Sequence, residues 1–207
     1  LLQMNNIRKT FGGIHALKGV NLDLNSGETL GLIGENGAGK STLMRILCGI
    51  ERPDSGTGEI LFENQEIKIA NPHHAQELGI AMIPQELVLV PQMTVVENIF
   101  LGRETVNRAR FLEKREMIET TEKIMRDLQS EYIDPEAEVG NIPKADQQVV
   151  AIGRRLLQGG KIFIMDEPTA AFTEKETKNL FNIIRKLCSS GRAVIFISHR
   201  LEEVLEI

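Results

Sequence analysis

Residues 34–41 constrain the fold of this chain more than any other segment, because a glycine-rich loop of their pattern needs a strand before it and a helix after it. Their sequence, GENGAGKS, satisfies the pattern G-x-x-x-x-G-K-[ST]. An apolar run at residues 29–33 precedes the loop, and residues 40–47 have helical character. The sequence therefore predicts a strand, a glycine-rich loop and a helix in this order.

The chemistry expected at this loop is phosphate binding. Small residues let backbone N–H groups converge on phosphate oxygens at a helix N-terminus, which favours anions. We predict that the Lys40 ammonium reaches the β- and γ-phosphates and takes part in catalysis, and that the Ser41 hydroxyl binds Mg²⁺. The residues of the loop predicted to contact the nucleotide are Gly34, Asn36, Gly37, Ala38, Gly39, Lys40, Ser41 and Thr42.

A second strand, IFIMDE at residues 162–167, ends in two acidic residues. Beside a phosphate loop, the first carboxylate, Asp166, is placed to hold Mg²⁺. The next residue, Glu167, is placed to polarise the attacking water, since a carboxylate accepts a proton or orients water. This pair predicts a site that hydrolyses the nucleotide.

Composition limits the other possibilities. The chain has 207 residues, of which 42% are hydrophobic, so one domain with a core of useful size is expected. Its net charge of −5 argues against a protein that mainly coats nucleic acid. We expect Cys48 and Cys188 to be buried free thiols in a reducing compartment. No run approaches the roughly 18 apolar residues that a membrane span needs, and we expect a cytosolic protein.

Apolar strands alternate with helices along most of the chain, which predicts an α/β fold with a largely parallel core sheet and an antiparallel side sheet near the N-terminus. The predicted strands are 29–33, 59–62, the segment GIAMIP, 162–165 and 193–197, with one more before the turn at 25–27. The predicted helices are 40–47, one from Pro72 to before Gly79, 111–129, one in the segment 141–157, 174–187 and one from about Arg200.

The set GENGAGKST, PQE, IMDEPT and ISHR, in this order, resembles the ATPase subunits of ABC transporters, a P-loop NTPase family. The resemblance covers essentially the whole chain. Within it, GIAMIPQELVLVPQMTVVENIFLGRE resembles the ATPase subunits of bacterial ribose and galactose importers, which usually carry two such domains in tandem. This chain looks like the first of the two, and the resemblance implies that residues 1–207 are one domain with a shortened C-terminal end.

The resemblance implies ATP and Mg²⁺ as ligands and gives roles to further residues. Gln85 matches a glutamine that contacts Mg²⁺ and senses the membrane partner, His199 matches a histidine that bonds the γ-phosphate, and Phe11 matches the aromatic residue that stacks on adenine. A helical subdomain at about 86–145, inserted in the catalytic core, is expected to receive a permease. Its groove would be lined by Val88, Leu89, Val90 and Met93, which core packing explains equally well.

The resemblance also implies the partners and location. They are transmembrane permease subunits, a second ABC ATPase domain and, indirectly, an external sugar-binding protein, with no nucleic acid. We expect import of a monosaccharide and a cytoplasmic protein, peripheral on the inner face of the cell membrane. Two alternatives stay open: a soluble ABC-type ATPase acting on ribosomes or DNA, and a non-hydrolysing half-site that only completes a partner's site.

One segment departs from the family pattern. Where the family has the signature Leu-Ser-Gly-Gly-Gln, which clamps the γ-phosphate bound by the opposing domain, this chain has a degenerate version formed by Pro143, Lys144, Ala145, Asp146 and Gln147 after Ile142. Pro143 has neither a hydroxyl nor an N–H donor, although proline suits a first helical position. Likewise AAFT at residues 170–173 replaces Ser-Ala-Leu-Asp. Two unequal ATP sites are expected, unless Lys144 supplies phosphate-binding charge itself.

Overall fold

The computed structural model describes residues 1–35, 37–106 and 111–207. In this part of the chain, four strands form an antiparallel sheet with the order β2-β1-β4-β5. These strands are β1 (Leu2–Phe11), β2 (Ile14–Leu24), β4 (Glu59–Phe62) and β5 (Gln65–Glu66). The sheet is the antiparallel side sheet that the sequence predicts near the N-terminus.

A second sheet is parallel throughout and has the order β3-β8-β7-β6. Its strands are β3 (Thr29–Leu32), β6 (Ile80–Ile83), β7 (Ile162–Asp166) and β8 (Ala193–Ile197). Helices connect these strands, so the predicted α/β class with a parallel core sheet is confirmed. The strands on either side of the turn at residues 25–27 do not form a hairpin, because β2 belongs to the antiparallel sheet and β3 to the parallel one.

The helices are α1 (Lys40–Leu47), α2 (Pro72–Glu77), α3 (Val95–Phe100), α4 (Lys114–Asp127), α5 (Lys144–Leu157), α6 (Glu174–Ser189) and α7 (Leu201–Glu206), with a 3₁₀ turn at Val139–Asn141. The helix predicted at 111–129 is three residues shorter at its start and two at its end, since α4 spans 114–127. Helix α3 is not among the helices predicted from the sequence. It begins with a capping box between Thr94 and Glu97.

The parallel sheet separates two hydrophobic cores. Successive side chains of a strand point to opposite faces, and β7 shows this directly. Ile162 and Ile164 pack with α1 and the antiparallel sheet. Phe163 and Met165 pack with α3, α4, α5 and α6. The antiparallel sheet and α1 therefore lie on one face of the parallel sheet, and α3, α4, α5 and α6 lie on the other.

Both cysteines are free thiols, as predicted, but Cys188 is half-buried and not buried as predicted, because it lies near the end of α6. Cys48 is buried, and burial raises the pKa of its thiol to about 12. Burial also raises the pKa of Cys188. Among the described residues, no helix is both long enough and apolar enough to cross a bilayer.

Candidate functional site

Four of the predicted groups, namely the glycine loop, His199, the pair Asp166–Glu167 and Gln85, lie at the carboxyl edge of the parallel sheet. Leu32 of β3 pairs with Ile197 of β8, Ile197 pairs with Asp166 of β7, and Met165 pairs with Ile83 of β6. The loops that leave these strands therefore begin side by side, at the edge where open α/β sheets bind ligands. In sheet order, they carry the glycine loop, His199, the pair Asp166–Glu167, and Gln85.

The glycine loop is shaped by positions where only glycine fits. Gly39 has φ 94° and caps α1, and a Cβ there would lie 2.7 Å from the carbonyl oxygen of Ala16. Gly37 has φ 85°, and a Cβ there would meet nothing within 4 Å. The loop is thus tight against β2 at one glycine and open at the other. Asn36, which is also predicted to contact the nucleotide, lies outside the described residues.

The start of α1 is suited to an anion. No side chain caps it and its first turn contains no acidic residue, so the free N–H groups and the positive end of the helix dipole meet no built-in anion. Ser41 and Thr42 lie in this turn, with the Ser41 side chain exposed. The Lys40 ammonium donates to the carbonyl oxygens of Gly34 and, at 2.9 Å, Glu35. These donors fit a nucleotide phosphate.

Asp166 lies at the end of β7, in surroundings that disfavour its ionised form. Burial and the neighbouring Glu167 carboxylate raise the pKa of Asp166, and the Lys40 ammonium lowers it. A bound cation would favour the ionised form of this carboxylate. Among the described residues, no three His, Cys, Asp or Glu side chains cluster as metal ligands. The single carboxylate with the Ser41 hydroxyl fits Mg²⁺, which commonly uses one or two carboxylates, phosphates and water.

Glu167 and His199 are in direct contact. The His199 Nδ1 atom lies 3.2 Å from Glu167 Oε1, with 57% and 25% of the two side chains exposed. Glu167 has a φ of 45°, which is uncommon for a residue other than glycine, and its N–H donates to the Ile197 carbonyl oxygen at 3.0 Å. The backbone of β8 thus holds Glu167 in a strained conformation of the kind found at functional sites.

Gln85 and Phe11 lie at the rims of this site. Gln85 is exposed two residues after β6, beside the Asp166–Glu167 end of β7. Phe11 ends β1, is 42% exposed, and has the Lys9 ammonium 5.0 Å from its ring centroid. The same hairpin brings Ala16 against Gly39. Both side chains are accessible, as their predicted contacts require, and their roles remain predictions.

The degenerate signature forms a sound helix start. Pro143 is the N-cap of α5 (φ −55°, ψ 154°) and not its first helical residue as predicted, because its extended ψ places the first helical residue at Lys144. Its carbonyl oxygen accepts from the Gln147 N–H at 2.9 Å. The buried Gln147 amide donates to Val139 and Ile142 carbonyls and accepts from the exposed Lys144 ammonium at 3.1 Å.

Tyr132 and the loop at residues 170–173 lie next to the start of α5. Tyr132 donates to Asp146 Oδ1 at 2.8 Å, and burial together with this bond raises the pKa of Tyr132 to about 12. In the altered loop at 170–173, Thr173 caps α6 through a capping box with Glu176. The loop lacks the serine and the acidic residue of the family pattern, but its last residue, Thr173, caps α6.

Sequence reasoning missed two polar residues that the structure buries, one on α3 and one on α7. Asn98 is fully buried, and its side chain bonds the N–H and carbonyl of Val90 and the carbonyls of Met93 and Thr94. It therefore holds the loop after β6 that is predicted to line a permease groove. Glu203 is buried among hydroxyls next to His199. Asn98 directly precedes the apolar pair Ile99 and Phe100 in α3 and follows Glu97, so its burial has no clear signal in the sequence. Glu203 stands among acidic neighbours and gives no signal either.

Comparison with known proteins gives a consistent result. The family profile described as ABC transporter matches residues 17–170. The ribose import ATP-binding protein RbsA of Caldanaerobacter subterraneus subsp. tengcongensis is 45% identical over 207 residues, which are 100% of this chain and 41% of that protein.

Solved structures agree in fold. The ADP conformation of an ATP-binding cassette from an ABC transporter superposes with a TM-score of 0.85 at 31% identity and covers 99% of this chain and 83% of that chain. A nucleotide-free ATP-binding cassette gives 0.83 at 30%, with the same coverage. The chain spans about two fifths of the length of the curated relatives it matches.

Proposed function

The chain belongs to the ABC transporter family, and on this premise we propose that it is an ATP-hydrolysing domain that powers import through a membrane permease, with a monosaccharide as the transported substrate. The identity of 45% with a ribose import protein supports the substrate class. The contact between Glu167 and His199 at the mouth of the phosphate loop carries the proposal of hydrolysis. A domain that only bound nucleotide would not need this pair.

The chemistry assigned to the site divides among few residues. Backbone N–H groups of the glycine loop and the Lys40 ammonium bind the phosphates, and Phe11 stacks on adenine. Asp166, Ser41 and Gln85 would hold Mg²⁺, which supplies positive charge to the phosphate oxygens when bound. Glu167 orients and deprotonates the attacking water.

His199 contacts the Glu167 carboxylate through its Nδ1 atom, which lies 3.2 Å from Oε1, and it bonds the γ-phosphate. The domain would work beside a second ABC ATPase domain, with ATP held between the two. Its helical subdomain at about 86–145 would contact permease subunits at the inner face of the membrane. An external sugar-binding protein would act through that permease.

The test is co-purification and sugar-dependent turnover. We expect the protein to co-purify with a membrane permease rather than with RNA, and its ATP turnover in that complex to rise when a sugar-loaded binding protein is supplied. A version with Asn98→Leu should lose permease binding, since the loop at residues 88–93 loses its anchor. The matched control is Ser130→Ala, another buried polar site. Recovery with RNA and no permease would refute the proposal.

The degenerate signature makes the two ATP sites unequal in this proposal. Pro143 offers no hydroxyl and no N–H, and the Gln147 side chain is turned inward to hold the helix start. The clamp that this domain presents to a partner's γ-phosphate is therefore weak. The domain's own site, which uses the partner's signature, keeps all of its predicted residues.

We expect Pro143→Ser combined with Lys144→Gly to raise turnover at the partner's site by about 10- to 100-fold. One added hydrogen bond to a charged phosphate is worth roughly 1.5–3 kcal/mol, and about 1.4 kcal/mol is tenfold in rate. The measurement uses Glu167→Gln as background, so that only the partner's site turns over. Pro143→Ala with Lys144→Gly is the control without the hydroxyl. Unchanged turnover would contradict the weak clamp, and a loss with Lys144→Met would show that Lys144 supplies the missing charge.

A further inference from the structure

Glu203 is a buried carboxylate to which the proposed chemistry gives no task. It lies on α7, where Glu202 and Glu206 are exposed, but only 7% of Glu203 is exposed. A buried carboxylate is costly unless its oxygens accept hydrogen bonds or meet a positive charge. The residues that contact Glu203 therefore indicate what it does.

Its two oxygens have different partners. Oε2 accepts from the Thr169 hydroxyl at 2.8 Å and from the Ser198 hydroxyl at 2.7 Å. Oε1 accepts from the Arg200 guanidinium at 3.1 Å. Thr169 and Ser198 are 2% and 3% exposed, so the oxygen that joins them is shielded from water. One carboxylate oxygen thus links two loops that leave different strands.

Both hydroxyls stand next to the proposed catalytic residues. Thr169 follows Glu167 by two residues, in a turn where the Ala170 N–H donates to the Glu167 carbonyl at 3.3 Å. Ser198 directly precedes His199, and its hydroxyl oxygen also accepts the Arg200 N–H at 3.0 Å. The two hydroxyls therefore attach the backbone segments that carry Glu167 and His199 to the same carboxylate oxygen.

We propose that Glu203 is a positioning residue for hydrolysis, which fixes the loop carrying Glu167 against the loop carrying His199 by accepting one hydroxyl from each. The contact between Glu167 and His199 lies at the partly exposed end of these loops, and the Glu203 bridge lies at their buried base. The inference rests on the proposed function for its catalytic consequence. The bridge itself is a property of the protein without nucleotide.

Helix α7 has a separate attachment to the sheet, so Glu203 is not its sole anchor. A Cβ at Gly31 of β3 would lie 2.3 Å from Val204 Cγ1, which shows how closely the helix approaches the strand. The Arg185 guanidinium also bonds the Glu206 carbonyl at 2.9 Å. Loss of the bridge should therefore disturb the two loops more than the docking of the helix.

The experiment compares three substitutions in the complex with the partner ATPase domain and the permease, in which the partner's ATP site has been inactivated. Glu203→Leu removes both acceptor oxygens at similar volume, Glu203→Gln keeps one carbonyl oxygen for the two hydroxyls, and Glu202→Leu changes the exposed neighbour. Single-turnover ATP hydrolysis per folded molecule, affinity for a labelled nucleotide, and amide hydrogen exchange of segments 163–173 and 196–201 are measured for each.

We expect Glu203→Leu to lower the hydrolysis rate by about tenfold or more, since small misplacements of reacting groups cost up to about 100-fold, with nucleotide affinity unchanged. Exchange should accelerate in both segments. Glu203→Gln and Glu202→Leu should stay within about threefold of the unsubstituted rate, a difference of less than roughly 1 kcal/mol. If Glu203→Leu does not fold, Thr169→Val, which removes one of the two bonds, replaces it.

Two results would overturn the proposal. One is a normal hydrolysis rate per folded molecule with lowered thermal stability, which is the signature of a merely structural role. The other is an equal loss in Glu203→Leu and Glu202→Leu. If the unsubstituted complex hydrolyses no ATP, the proposed function fails and hydrogen exchange alone decides. Faster exchange in Glu203→Leu but not in Glu202→Leu supports the bridge, and no difference between the two refutes it.

Discussion

Replacing Glu167 with glutamine is expected to lower ATP turnover by about 10²- to 10⁴-fold, the usual contribution of a general base, while ATP still binds. Glutamine has nearly the same shape and can still accept a hydrogen bond from His199, which lies 3.2 Å away, but it cannot take a proton from water. Affinity should not fall, because the substitution removes a negative charge beside the phosphates. A labelled nucleotide is the suitable probe, since the chain has no Trp and one Tyr.

The matched control for this experiment is Glu66→Gln, which makes the same chemical change at an exposed position of β5. Its turnover should equal that of the unsubstituted protein. Substantial hydrolysis by Glu167→Gln in a complex whose partner site has been inactivated would remove Glu167 from the mechanism. A loss of ATP binding would instead assign the residue to the nucleotide pocket.

The second large effect is expected from Lys40→Met, which keeps most of the apolar stem and removes the ammonium. A hydrogen bond to a charged group is worth roughly 1.5–3 kcal/mol, so ATP affinity should fall by about 10- to 100-fold. ADP affinity should fall less, because the ammonium reaches both the β- and the γ-phosphate of ATP. Titration with labelled ATP and labelled ADP measures both values.

The control is Lys161→Met, whose ammonium lies 2.6 Å from Glu63 at a half-exposed site away from the glycine loop. Its nucleotide affinities should not change. Equal affinities for ATP in Lys40→Met and in the unsubstituted protein would show that backbone N–H groups alone hold the phosphates. A larger loss for ADP than for ATP would contradict the predicted reach of the ammonium.

The parts of the fold that sequence reasoning predicted are those with local signals. β7 and β8 are uninterrupted apolar runs, the glycine loop has a fixed spacing, and Pro72 marks the first turn of α2, capped by Asn71. Each of these depends on residues within a few positions of one another. The positions of these strands and of the glycine loop could therefore be predicted from local sequence. Their order in turn predicted that the candidate site lies where the parallel strands end.

β1 shows why other elements were missed. Leu2, Met4 and Ile7 are all buried, but the step from Met4 to Ile7 is three residues, which breaks the alternation expected of a strand. The register shifts between Met4 and Ile7, where Asn6 has a φ of 50°. A bulge of this kind returns the apolar side chains to one face, and its position depends on pairing with β2.

The bridge at Glu203 could not be predicted for a different reason. Its partners Thr169 and Ser198 are 34 and 5 residues away in sequence, and they meet only because β7 and β8 are neighbours. An acidic residue in the sequence LEEVLE suggests a solvated helix face. Burial of polar groups between loops is decided by the assembled sheet, which single-residue patterns do not describe.

The strand order also has a consequence for biosynthesis. Within the described residues, β3, which leads into the glycine loop, pairs with β8 in the parallel sheet, and the register joins Leu32 to Ile197. During synthesis on the ribosome, β3 is made early. It can pair with β8 only after some 160 further residues have been added. Contacts this distant in sequence form slowly. We expect a nascent chain that ends before β8 to be unable to bind nucleotide. In such a chain β3 would be unpaired and accessible to chaperones.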